Sequence, residues 1–301
     1  MSTSTKEWMR FRVFRFGLFC GGALLFAALY YTTILYVRGN YYSKRIAHAG
    51  GGINGDTYTN SIEALNHNIK LGFRFFEIDF NWTADGQLVC VPNHVSFSSF
   101  IGRDFQEIPT LAEFIQLRDR YSKYKHCTLD ELAEWMKKNP RAILVTDVKK
   151  DNLKALDVIA HRIDRHESRV IPQIYYPSEY IPTRRMGYKK IIWTLYRYNY
   201  SGYEDIINHI TQMKLFALTM PIVWADEGLA KVVSKFGLFT YVHTVNECSV
   251  LEHYRCIGVD EIYTDFLSPG KCRRGIMHAI RHMFSFGRSE KRVVGPAKDT
   301  Q

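Results

Sequence analysis

The sequence predicts an α/β fold, a (β/α)8 TIM barrel preceded by one N-terminal transmembrane helix. Three observations lead there. Residues 45–80 have the pattern of a β-α-β unit: an apolar strand ends at His48, Ile62, Leu65 and Ile69 follow at helical spacing, and Phe73 to Phe80 has the composition of a buried strand. Strand-like and helix-like stretches then alternate over the rest of the chain, as in parallel α/β folds. Finally, residues 16–37 are 22 positions without a charge. At about 1.5 Å per residue they span a bilayer core of roughly 30 Å.

Taken in order, the chain opens with a basic segment, 1–15, that carries Lys6, Arg10, Arg12 and Arg15. No A-x-A site follows the apolar run, so it is expected to remain as an anchor. Arg38, Lys44 and Arg45 follow it closely. The positive-inside bias places the N-terminus in the cytoplasm and the barrel on the non-cytoplasmic (periplasmic or extracellular) side of the membrane. Residues 40–43 form a short tether, which is expected to bring the mouth of the barrel within reach of the bilayer.

The barrel is expected over 44–268. Its strands are placed at 45–48, 73–80, 88–92, 142–147, 170–174, 190–195, 215–219, 238–243 and 261–264. Residues 95–127 are too long for a simple connection and hold a helix of their own at 111–121. Thr128-Leu129-Asp130-Glu131 has capping-box spacing ahead of Leu132, Trp135 and Met136. Further helices fit 152–165, 177–186, 202–213, 226–235, 247–256 and 270–285.

A chain of 301 residues with 46% hydrophobic content accommodates one large domain and an appendage. The net charge of +10 concentrates in the tail, 269–301, where Lys271, Arg273, Arg274 and Arg281 surround an apolar pattern. Two readings fit: a basic amphipathic helix on anionic lipid, or a last barrel helix with a basic end. No recognition motif accompanies the charge, which argues against nucleic acid as a partner. The six cysteines have neither CxxC nor zinc spacing and are expected to be packed thiols, with a disulfide in an external domain as the alternative.

Glu77 and Asp79 lie two apart on a strand, so their carboxylates leave the same face. Phe73, Phe75, Phe76, Ile78 and Phe80 surround them, so the strand is covered and the acids need partners. Like charges this close repel unless a cation or proton separates them, and an all-oxygen site suits Ca²⁺ or Mg²⁺. An ordinary solvated strand face is the bland alternative.

These residues resemble the opening signature of the glycerophosphodiester phosphodiesterase family, one of the phosphatidylinositol-phospholipase-C-like (β/α)8 barrels. The family has His-Arg-Gly, Glu-Asn-Thr, Glu-x-Asp, Thr-x-Asp-Gly and His-Asp in that order. This chain has His48-Ala49-Gly50, Thr59-Asn60-Ser61, Glu77-Ile78-Asp79, Thr83-Ala84-Asp85-Gly86 and His94-Val95. The resemblance implies hydrolysis of a phosphodiester, such as a glycerophosphodiester or lysophospholipid, to a phosphomonoester and an alcohol. It implies one divalent cation, Ca²⁺ or Mg²⁺, on Glu77, Asp79 and Asp147, the last where the family has the acid of Glu-x-Lys. Lys149 then faces phosphate, Asn60 falls in the Glu-Asn-Thr site, and His243 takes the aromatic slot of the family's Trp-Thr-Val-Asn run. Residues 258–265 resemble the family's closing strand, expected to secure the barrel more than to do chemistry.

His48 and His94 stand at adjacent strand ends beside the acids, and imidazole titrates near neutrality, so they are the expected acid and base. Three departures affect the grip on phosphate: Ala49 replaces arginine, Thr59 glutamate and Val95 aspartate. Two alternatives follow: a weak or inactive barrel that binds phospholipid headgroups at the membrane, and a phospholipase-D-like lyase that forms a cyclic phosphate.

Overall fold

The computed structural model describes Tyr30 and residues 44–91, 107–199 and 202–272. The chain divides into two compact units, Met1–Lys44 and Arg45–Gln301. The predicted span at 16–37 lies outside the described residues except for Tyr30, as do segment 1–15, His94 and the tail beyond Cys272. Among the described residues no helix is long and apolar enough to cross a membrane.

The second unit contains ten described strands in chain order: β1 (Ile46–Ala47), β2 (Phe75–Asp79), β3 (Asn81–Trp82), β4 (Leu88–Val89), β5 (Ile143–Asp147), β6 (Val170–Ile174), β7 (Ile192–Thr194), β8 (Ala217–Met220), β9 (Phe239–Val242) and β10 (Glu261–Thr264). Eight of them close a barrel in the order β1-β10-β9-β8-β7-β6-β5-β2, and every pairing in it is parallel. The exception to the expected strand set is residues 88–92. Leu88–Val89 pairs antiparallel with Asn81–Trp82 in a side hairpin, because the chain turns back at Asp85-Gly86 instead of crossing over.

The described α-helices are α1 (Ile62–Lys70), α2 (Leu111–Tyr121), α3 (Leu129–Lys138), α4 (Asn152–Arg162), α5 (His166–Arg169), α6 (Tyr180–Arg185), α7 (Tyr203–Gln212), α8 (Ile222–Asp226), α9 (Leu229–Ser234) and α10 (Cys248–Cys256), some of them only one or two turns. The capping box expected at Thr128 forms, and Thr110 builds a second one ahead of α2. Each satisfies backbone N–H groups that the first helical turn leaves unpaired.

Within the barrel, Ile46, Phe75, Val145, Ile171, Ile192, Ala217, Tyr241 and Tyr263 form a closed apolar layer. Strand side chains alternate, so the next inward residue on each strand lies two positions nearer the carboxyl end. There the lining turns polar, and the site begins.

Four cysteines correct the expectation of packed thiols. Cys90 bonds to Cys127 and Cys248 to Cys272, with Cα separations of 5.1 and 5.5 Å, while Cys256 is free and exposed. The partners are 37 and 24 residues apart and meet only through the fold. No local spacing announces them.

Candidate active site

The glycine turn after β1 starts the site. Gly51 and Gly52 leave no room for a side chain: a Cβ at Gly51 would lie 2.4 Å from the Asn68 amide, and one at Gly52 2.2 Å from the Phe266 ring. Asn68, on α1, donates to the carbonyls of Gly50, Gly52 and Ala64 and so fixes the turn. This crowding requires glycine here, and it sets His48 at the rim of the barrel interior.

His48 is buried, and its Nδ1 lies 3.0 Å from Asp265 Oδ1. Asn246 in turn donates to the other Asp265 oxygen at 2.8 Å and accepts from its backbone N–H. Burial alone would lower the imidazole pKa, but the Asp265 hydrogen bond and the charges of Glu77 and Asp79 outweigh it and raise His48 to about 9. Asp265 is thus a site residue that the sequence reading assigned to barrel closure. Its signal was alternation: it lies two positions beyond Tyr263, on the inward side of β10.

Glu77, Asp79 and Asp147 come together as expected. Each offers an oxygen, and these atoms lie within 4.8 Å of one another. Asp79 and Asp147 are register partners on β2 and β5, which accounts for their closeness. All three are buried, and each is oriented by a different donor. The Ala49 N–H donates to Glu77 at 2.8 Å. Asn60 clasps Asp79, its amide donating to the carboxylate and accepting from the backbone N–H, both at 3.0 Å. Asp147 receives the hydroxyls of Tyr175 and Tyr196, the latter at 2.8 Å. Lys149 donates to Asp147 at 2.9 Å and to Asp79 at 3.5 Å.

The electrostatics are unbalanced. Burial and the neighbouring Asp79 hold the Glu77 carboxyl well above the usual carboxylate range. Asp147 goes the other way: burial pushes it up, but Lys149 and the tyrosine hydroxyls prevail and lower it. One lysine cannot neutralise three buried carboxylates, and the oxygen donor set fits a hard divalent cation. The sequence expected this triad; it gave no notice of the two tyrosines.

A cavity of about 190 Å³ is lined by His48, Tyr58, Glu77, Asp79, Asp147, Lys149, Gln173, Tyr196, His243 and Tyr263. Tyr58 stands edge-on to His48 with ring centroids 4.4 Å apart. His243 packs on Tyr196 and Tyr263, and its buried Nε2 has no hydrogen-bond partner among the described residues. Burial and the nearby His48 lower its pKa to about 4, so it is neutral. Of the expected site residues, His48, Glu77, Asp79, Asp147, Lys149 and His243 share this cavity, whereas Asn60 acts on Asp79 from behind.

Residues 48–268 match the model of the glycerophosphoryl diester phosphodiesterase family. No curated protein matches the chain. Among solved structures, a glycerophosphodiester phosphodiesterase from Thermotoga maritima is similar at 20% identity, with 75% of this chain and 96% of that chain covered and a TM-score of 0.59. One from Parabacteroides distasonis is 19% identical, with 82% and 99% covered and a TM-score of 0.56. An Oleispira antarctica phosphodiesterase in complex with the product sn-glycerol-3-phosphate is 16% identical, with 77% and 96% covered and a TM-score of 0.59. At these identities the neighbours share the fold. The family match covers most of the chain and includes the histidine, the three acids and the closing aspartate, so the chain belongs to the glycerophosphoryl diester phosphodiesterase family and is, with it, a phosphoric diester hydrolase.

Proposed function

We propose that the chain is a membrane-anchored, divalent-cation-dependent phosphodiesterase that cleaves a glycerophosphodiester or a lysophospholipid-like diester to a phosphomonoester and an alcohol. The observation that carries this reading is the buried triad of Glu77, Asp79 and Asp147 in one cavity with the His48–Asp265 pair. Glu77, Asp79 and Asp147 would hold a Ca²⁺ or Mg²⁺ ion, which when bound would offset negative charge on the phosphoryl group. Lys149, which lines the same cavity, adds a second cationic contact.

Asp265 occupies Nδ1 of His48, so Nε2 is the ring nitrogen that exchanges a proton with attacking water or leaving alcohol. Asp265 also stabilises the imidazolium when that proton is held. His94 is the complementary acid or base in this reading, on the strength of its place in the sequence. Ala49 offers only its backbone N–H, and that group is engaged by Glu77. Recognition of phosphate therefore falls to Lys149, without the family's arginine, and a cation on the three acids would add to it.

The anchor and the side of the membrane belong to the same proposal. Two disulfides in the barrel support an oxidising, non-cytoplasmic compartment.

The test is a panel of glycerophosphodiesters and lysophospholipids assayed with Ca²⁺, Mg²⁺ or EDTA. Alcohol release that EDTA abolishes, and that His48→Ala and His94→Ala each reduce by roughly 10²–10⁴-fold, is expected. Specific headgroup binding with no turnover would favour the alternative of a headgroup-binding barrel. A cyclic phosphate seen by ³¹P NMR would favour the lyase.

A further inference from the structure

The grip that Lys149 has on phosphate is thin. Its ammonium already donates to Asp147 and Asp79, and Ala49 contributes no more than a methyl group. A phosphoryl oxygen that gains charge as the ester bond breaks calls for a further donor.

Backbone strain marks where one stands. Three non-glycine residues around the acid centre lie in the left-handed region: Ala49 at φ 48°, Tyr58 at 57° and Asn60 at 45°. Asparagine tolerates that region, whereas a bulky aromatic residue adopts it at a cost. Such strain survives where the surroundings over-determine the backbone, and it gathers at functional sites. Here the Asn60 N–H donates to the Ala49 carbonyl at 3.0 Å and the Ile62 N–H to the Lys125 carbonyl at 3.1 Å. His126 Nδ1 holds the Thr59 carbonyl between them.

Two of the three residues deliver donors to the acids, Ala49 to Glu77 and Asn60 to Asp79. Tyr58 delivers a ring. It stands edge-on to His48, with centroids 4.4 Å apart, and lines the cavity that holds the three acids. Core packing does not demand this placement, since the residue is 40% exposed.

We propose that Tyr58 is a phosphate-binding residue whose phenol O–H donates to a phosphoryl oxygen of the bound ester, on the His48 side of the cavity. The inference rests on the phosphodiester reading above and adds a contact that no motif spacing signalled. Burial, then the charges of Asp79, Glu77 and Asp265, raise the phenol pKa to about 12, so the donor keeps its proton at neutral pH. Lys149 acts on the phenol in the opposite sense, so the ring lies within electrostatic reach of the whole centre.

The test compares the full chain in detergent with Tyr58→Phe, which loses only the hydroxyl, and Tyr58→Leu, which loses the ring as well. Two quantities are read at pH 7.5 with Ca²⁺ or Mg²⁺ present: the Kd for sn-glycerol 3-phosphate by calorimetry, and kcat/KM on glycerophosphodiesters. A hydrogen bond to a charged oxygen predicts that Tyr58→Phe weakens each by roughly 10–100-fold. Tyr58→Leu should cost little more.

A Tyr58→Phe variant within twofold of the parent in both readings overturns the proposal. So does a loss confined to Tyr58→Leu, because the ring then acts only as a cover on His48. If the parent turns over diesters and Tyr58→Phe matches it, this inference fails while the diesterase reading stands. If the parent binds the phosphate ester without turnover and Tyr58→Phe weakens that binding, this inference stands and the diesterase reading fails. A parent that neither binds nor turns over refutes both.

Discussion

Asp265 sets what His48 can do. Its carboxylate holds Nδ1 at 3.0 Å and, with Glu77 and Asp79, keeps the imidazole protonated to about pH 9 in the absence of a cation. Asp265→Asn removes one charge and the strongest hydrogen bond at His48 while preserving shape. The His48 pKa should fall towards its ordinary 6.5, and kcat/KM should drop by about 10²-fold. A pH–rate profile checks both: the limb that belongs to His48 moves to lower pH in the variant. A lowered rate with an unmoved limb would reduce Asp265 to a packing role.

A second residue-scale prediction concerns His126, which is buried behind the site and bonded through Nδ1 to the Thr59 carbonyl. Burial lowers its pKa to about 4, despite the opposing effect of that hydrogen bond. Its folded value lies below the unfolded 6.5, so between these values the unfolded chain binds a proton that the folded one does not. The contribution is full above pH 6.5 and is lost as pH falls towards 4, by about 3 kcal/mol in all. Urea melts at pH 7 and pH 4.5 should show that difference shrink in His126→Asn.

At the scale of elements, strand alternation fixed more of the site than motif spacing did. The inward column of each strand continues past its end: Glu77 and Asp79 on β2, Asp147 and then Lys149 on β5, Gln173 and then Tyr175 on β6, Thr194 and then Tyr196 on β7, Tyr263 and then Asp265 on β10. The first four were legible because paired acids and an adjacent lysine are improbable on a covered strand. Tyr175 and Tyr196 were not, because they stand in tyrosine-rich runs, YY and LYRYNY, where nothing local says which ring faces inward. Only the strand ends decide that. The side hairpin was misread for a similar reason: two residues of strand cannot announce whether they join a barrel.

The disulfides belong to this scale too. Cys90 and Cys127 bracket the long excursion that carries α2, and the Cys127 N–H donates to the backbone carbonyl of Asn60, the residue whose side chain clasps Asp79. In the chain-entropy view, closing loops of 37 and 24 residues stabilises by about 3–4 kcal/mol each. Cys90→Ser with Cys127→Ser should lower stability by that order in denaturant melts. A loss under about 1 kcal/mol would mean that the reduced chain already holds the excursion in place.

For the whole molecule, the barrel brings acids from neighbouring strands into one volume and supplies too few cations to balance them. Glu77, Asp79 and Asp147 face one another within 4.8 Å, with Lys149 as the cation bonded to two of them. Such a centre opposes folding until a divalent cation fills it, so cation binding and stability are linked. At a hundredfold excess over Kd, binding adds about 2.7 kcal/mol. For a domain of this size that raises Tm by roughly 5–10 °C. Thermal melts after EDTA treatment, with Ca²⁺ or Mg²⁺ then added back, measure the shift directly. Asp79→Asn should abolish the response and, by removing a repelling charge, should melt no lower than the EDTA-treated parent. A parent whose Tm is unmoved by millimolar Ca²⁺ and Mg²⁺ would show that Lys149 alone satisfies the acids, and the cation would leave the mechanism.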